Sequence, residues 1–168
     1  MTKPIRTSFT ALAVGMLTLS TAQAAEWKFA LEEAIHEVQG VYATQFKEYI
    51  EANSDHTIAI FPFGTLGESA DVTELTQMGA VQFANASPGF MGSLIPELQV
   101  FLLPYVLPEE PEVLADFFAT SPTINEKLAA MYQDQMLELI DMYPEGEVVM
   151  TTKEPVSGPE DLAGVNFR

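Results

Sequence analysis

Cysteine is missing from the 168 residues. No disulfide can form, no thiol can act as nucleophile and no zinc-thiolate site can be built, so packing alone must hold the fold. Basic side chains are scarce: seven Lys and Arg stand against 24 Asp and Glu, for a formal net charge of −17. A surface of that sign repels phosphate backbones, which excludes nucleic acid as a partner. Long apolar runs are lacking too, because a span needs about 20 residues and the stretch from Phe9 to Leu19 falls well short. The sequence contains no phosphate-binding loop, dinucleotide fingerprint or serine-nucleophile motif, and no cofactor is expected. Repeats and low-complexity stretches are absent as well.

What is present begins with an address. Lys3 and Arg6 precede the apolar run, and Ala22-Gln23-Ala24 obeys the small-x-small rule, so residues 1–24 read as a cleaved secretory signal peptide. Its removal takes both of those cations and leaves five basic against 24 acidic residues, or −19, on the remaining 144. That length suffices for one domain with its own core.

From Trp27 to Leu31 the odd positions Trp27, Phe29 and Leu31 share one face of a strand. Val38, Val41, Tyr42, Phe46, Tyr49 and Ile50 follow helical spacing, and Asn53-Ser54-Asp55 ends that helix. "TIAIF" is a second strand, stopped by Pro62 and the turn "FGTLGE". A helix from Glu68 to Met78 closes on Gly79, and "AVQFAN" forms a third strand. Helices over Pro111–Ala119 and Pro122–Asp134 follow a long loop with a short helical piece at Leu94–Gln99. "MLELIDMY" and "VVMTTK" predict a fourth and a fifth strand around the turn "PEGE".

The order βαβαβ is the opening of a doubly wound α/β sheet, whose ligands bind beyond the carboxyl ends of the strands. The residues there are Glu32 and Glu33 after the first strand and Phe63 after the second. Asn85, Ser87 and Phe90 follow the third. Two acids, two aromatics and a few hydrogen-bonding groups make a plausible small-molecule pocket. Glu33 and His36 have Glu-x-x-His spacing, but a strand-to-helix junction does not supply the facing carboxylates that such a metal site needs. His56 is expected to be solvated, and Trp27 and Tyr105 to serve packing.

"FGTLGE", "MGAVQFA", "VFLLPYV" and "PEDLAGVNFR", in that order behind a signal peptide, resemble the landmarks of DctP-type solute receptors of TRAP transporters. The resemblance implies a periplasmic-binding-protein clamshell of type II that binds without catalysis. It would capture a small organic acid or zwitterion in the periplasm for an ion-driven transporter with a small and a large membrane subunit. It also implies that this chain stops before most of the second lobe. Lobe I is expected over residues 25–147, with the hinge strand and the start of lobe II over 148–168. The arginine closing "DLxGxxxR" is the family's carboxylate anchor and falls on Arg168. "NSDHT", "SPGF.GSLIP" and "MYPEGE" are similar to the ectoine-binding branch, which implies Glu32 as the partner of a cationic ring and Phe90 as one of its aromatic walls.

A guanidinium offers a carboxylate two parallel charged donors, and an acid opposite it would match a zwitterion better than a dicarboxylate. If the strand is offset by one residue, Glu33 replaces Glu32. With half of the clamshell missing, this chain is expected to bind its solute weakly or not at all. The rival readings are a receptor for another transporter class or for a sensor, and, further off, an exported α/β hydrolase.

Overall fold

The computed structural model describes residues 24–146 and 149–166. Residues 1–23 of the expected signal peptide and the expected anchor Arg168 lie outside the described residues. Five elements build the sheet layer: β1 (Glu26–Ala30), α1 (Val38–Asn53), β2 (Thr57–Phe61), α2 (Ser69–Gln77) and β3 (Phe83–Ala84). All pairing is parallel, in the order β2-β1-β3. Glu26 lies opposite Thr57 and Ala30 opposite Phe61, while on the other side Phe29 lies opposite Phe83 and Ala30 opposite Ala84.

The alternation in β1 decides which helix covers which face. Phe29 and Leu31 pack with Ala43 and Ile58 beneath α1, joined by Trp27, Tyr42, Phe46 and Ile50. Ala30 points the other way and meets Val72 and Val81, with Leu75 of α2 beside them. Both faces are therefore covered, as the doubly wound reading requires, and β1 is the central strand. Because β2 and β3 flank β1 on opposite sides, the reversal of strand order falls between β1 and β3.

Glu68 and Asp71 form a reciprocal capping box at the start of α2, with Glu68 N–H donating to Asp71 Oδ2 at 2.9 Å. At its far end Gly79 takes a φ of +73°, and the amides of Ala80 and Val81 both bond the Leu75 carbonyl. That closure uses up residues expected in the third strand, so the ladder is confined to Phe83–Ala84.

A helical layer follows: α3 (Pro88–Met91), a 3-10 helix (Pro96–Leu102), α4 (Pro111–Thr120), π-helical turns (Thr123–Leu128) and α5 (Ala129–Asp134). Its core is Met91, Ile95, Leu98, Phe118, Ile124, Leu128 and Tyr132. The helix expected over Pro122–Asp134 is present, with its first part wound as π. Gln77 ties this layer to α2 by donating to the Gln135 carbonyl at 2.9 Å.

Two expected strands are not formed. Residues 136–140 alternate in burial, with Leu137 and Leu139 half-buried and Glu138 and Ile140 exposed, but residues 136–143 join no ladder. Alternation reports which side is buried, whereas a strand also needs a neighbour with free backbone groups in register. The described part of the expected fifth strand, Val149–Lys153, is exposed and unpaired for the same reason. Tyr105 is corrected as well: after Pro104 it adopts a φ of +61°, and its ring is 97 % exposed, so it packs against nothing. His56 is half-buried, stacked on Trp27 at 4.1 Å, with Nδ1 accepting the Ala25 N–H.

Candidate functional site

Past Ala30 the chain bends through residues 32–37 before α1 begins. Ala34 N–H donates to Glu37 Oε2 at 2.7 Å, and Glu37 N–H to the Ala34 carbonyl at 3.0 Å. The bend lies directly on Gly40, where a Cβ would meet the Ile35 carbonyl oxygen at 2.1 Å. Only glycine permits that approach.

The strand tips converge here. Glu32 Oε2 accepts both Ser87 N–H at 2.7 Å and Ser87 Oγ–H at 2.6 Å, which links the tip of β1 to the start of α3. The Glu33 carbonyl accepts Phe63 N–H at 3.0 Å, and its Oε2 accepts Gln39 N–H at 3.1 Å. Asn85 N–H donates to the Ala30 carbonyl at 3.0 Å, and Asn85 Nδ2 donates to Tyr143 Oη at 2.8 Å. Glu32, Glu33 and Ser87 thus belong to one hydrogen-bonded cluster joined through Gln39, and Asn85 is tied in alongside it through Ala30 and Tyr143. Phe63 is attached to it through its backbone, with its ring 54 % exposed. Phe90 is likewise attached through its backbone, its N–H donating to the Ser87 carbonyl at 3.1 Å, and its exposed ring edges a cavity of about 170 Å³ shared with Ala70, Thr73 and Gln77 on the α2 side. A larger concavity of about 460 Å³, lined by Val100, Phe101 and Met131, lies in the helical layer away from the strand tips.

Three members of the cluster escaped the sequence reading. Gln39 is 2 % exposed; its Oε1 accepts Glu32 N–H at 2.8 Å and its Nε2 donates to Glu145 Oε1 at 2.7 Å. Tyr143 stacks on Tyr42 with ring centroids 4.6 Å apart. Glu145 and Tyr143 lie in "MYPEGE", a stretch visible as a landmark but without a geometric reason to reach the tips. Gln39 had one faint signal: a polar residue among the apolar positions of α1.

Among the described residues the sole ion pair is Lys47–Glu51 at 2.6 Å, on the far part of α1, so no cation neutralises the cluster. Glu145 is exposed as a residue, yet its carboxyl is turned in onto Gln39. Burial raises its pKa, the Gln39 bond offsets part of that rise, and the charges of Glu33 and Glu32 add to it. Burial is also the main reason that the Tyr143 phenol is pushed upward, with Glu145, Tyr42 and Glu33 adding to the effect. Tyr132 is raised to about 12 by burial and then by Glu32. Both phenols therefore stay protonated. The arrangement offers carboxylate oxygens and an aromatic stack to a small cation.

Residues 13–168 match the family described as "Bacterial extracellular solute-binding protein, family 7", DctP. The chain is 55 % identical to the ectoine/5-hydroxyectoine-binding periplasmic protein UehA of Ruegeria pomeroyi, over 100 % of this chain and 50 % of that protein. It is 48 % identical to the ectoine-binding periplasmic protein TeaA of Halomonas elongata, over 91 % of this chain and 45 % of that protein. The solved structure of the periplasmic ectoine-binding protein from the TeaABC TRAP transporter of Halomonas elongata superposes with a TM-score of 0.77. That alignment has 50 % identity and covers 82 % of this chain and 44 % of that one. The chain spans about half the length of the curated relatives it matches.

Proposed function

The chain belongs to the DctP family of bacterial extracellular solute-binding proteins, and from that membership we propose that it forms the first lobe of a periplasmic receptor for a TRAP-type transporter. Its solute is a small zwitterion, with ectoine as the first candidate, captured without chemical change and handed to a small and a large membrane subunit. Residues 1–24 direct export, residues 25–147 make the lobe, and residues 148–168 carry the crossing and the start of a second lobe. Arg168 is assigned to the solute carboxylate.

The observation that carries this reading is the state of the two acids at the tip of the central strand. Glu32 is committed to Ser87 through two short bonds and acts as a strut. Glu33, like Glu32, engages only Oε2 among the described residues, but through a single and longer bond, so it is the less committed of the two acids. Of the two, Glu33 is the acid available to a solute cation, with Phe63 and Phe90 as exposed rings nearby in sequence to the strand tips. An acid opposite an arginine matches both ends of a zwitterion at once, and removal of one partner of such a buried pair costs about 2–5 kcal/mol.

The test is titration calorimetry on residues 25–168 joined to the C-terminal half of the Ruegeria relative. Ectoine should bind, succinate should bind more weakly, and Glu33→Gln should weaken ectoine by roughly thirtyfold, about 2 kcal/mol. Equal affinity for succinate and ectoine would remove the zwitterion reading. The 168-residue chain alone should bind weakly; micromolar affinity there would show that one lobe is enough.

A further inference from the structure

Gln39 and Ser69 are the buried polar side chains among the described residues, and Gln39 is the more enclosed at 2 % exposure. Every polar group of Gln39 on this side of α1 is used across the fold. Its Oε1 accepts Glu32 N–H, its own N–H donates to Glu33 Oε2, and its Nε2 donates to Glu145 Oε1 across 106 residues of chain. We propose that Gln39 is a positioning residue for the solute site: it locks the turn bearing Glu32 and Glu33 to residues 143–146, so that the acid wall and the stretch entering the crossing move together. The proposal rests on reading the strand-tip cluster as the solute site.

The chemistry of the amide explains the choice of residue. A primary amide presents an acceptor on one side and donors on the other, matching a backbone N–H at Glu32 and a carboxylate at Glu145. A carboxylate in its place would keep the first bond and set two acceptors against each other at the second. An apolar isostere would leave the Glu32 N–H without its partner. The second tie of the same stretch runs through Tyr143, which accepts from Asn85 Nδ2 and stacks on Tyr42, three residues along α1 from Gln39.

Electrostatics gives the tie a direction. Glu145 faces Glu33 and Glu32 of the turn, and Tyr42 and Tyr143 lie beside it, with Asp141 acting on Tyr42. Among the described residues the Gln39 donor is what holds Glu145 against those like charges. A cation bound at Glu33 would cancel part of the repulsion and draw residues 143–146 in more firmly. Solute capture would then be felt at the chain's exit from the lobe, and by linkage the position of that exit would alter solute affinity.

The experiment is solution NMR on the joined two-lobe protein of the calorimetric test, unchanged (the wild type here) and with Gln39→Glu and Gln39→Met. In Gln39→Glu at neutral pH the Glu32 amide should keep its hydrogen-exchange protection, while Tyr143 and Glu145 signals move. Acidification through the carboxylate range should restore them, since a protonated acid donates as the amide does. Gln39→Met should lose both at every pH. Acetamidinium chloride, with sodium chloride as the ionic-strength control, then serves as the cation probe. In the wild type it should shift Glu33, Gln39 and Tyr143 together; in Gln39→Met only Glu33 should respond.

The proposal is overturned if Gln39→Glu leaves Tyr143 and Glu145 unmoved at neutral pH. It also fails if Tyr143 still follows the probe in Gln39→Met. A wild type whose Glu33 ignores acetamidinium instead defeats the solute-site reading, whatever the Gln39 variants show without the probe.

Discussion

Gly40→Ala sets two physical effects against each other. Alanine is the better helix former by about 1 kcal/mol, and Gly40 lies within α1, so propensity alone predicts stabilisation. The added methyl, however, would stand 2.1 Å from the Ile35 oxygen and 2.4 Å from its carbonyl carbon, and backbone cannot rotate aside as a side chain can. Overpacking of this kind costs about 1–3 kcal/mol. Moving the 32–37 turn away from α1 also pulls Glu32 N–H and Glu33 Oε2 off Gln39, at about 1 kcal/mol for each bond. The unfavourable terms win, and a net loss of about 2–4 kcal/mol is expected. Urea unfolding should show the midpoint falling by about 1 M at unchanged slope, given m values of about 1–3 kcal/mol/M. A midpoint equal to or above that of the wild type would refute the close contact and the role assigned to this turn.

Leu98, with no exposed surface in the helical core, should lose about 2–5 kcal/mol on Leu98→Ala, read from the same urea curves. Glu145→Gln tests the carboxyl environment. The folded state holds the Glu145 proton to higher pH than the unfolded chain does, so the associated stability is present at low pH and lost as pH rises through the raised value. Glu145→Gln keeps an acceptor for Gln39 and removes the charge. The variant should therefore unfold at higher urea than the wild type at about pH 7, and the gap should close as pH falls to about 3, below the usual glutamate range. A difference that persists unchanged at the lower pH would count against the cluster's electrostatics.

The sheet was legible because its signals are local. Trp27, Phe29 and Leu31 alternate, and Gly79 ends α2 with the expected left-handed turn, whereas only Tyr42, Phe46 and Ile50 of the expected α1 stripe pack on the sheet and Val38, Val41 and Tyr49 are exposed. The place of the site followed from strand order, and Glu32, Glu33, Asn85 and Ser87 do meet there. Residues 136–143 misled for a related reason. The alternation over 136–140 is real, but whether a neighbouring strand exists to pair with them is not a property of the segment. Tyr105 misled because its aromatic character suggests burial, while its backbone conformation after Pro104 turns the ring outward.

The amino-acid order alone determined the acidic composition, the parallel α/β class and the residues that gather at the strand tips, because each depends on composition or on periods of a few residues. The tertiary structure decided what those residues do. Glu32 became a strut because Ser87 meets it from 55 positions along the chain, and Gln39 joined the site because Glu145 meets it from 106. Hydrogen-bond partners at such separations are chosen by chain topology, and no local pattern records them.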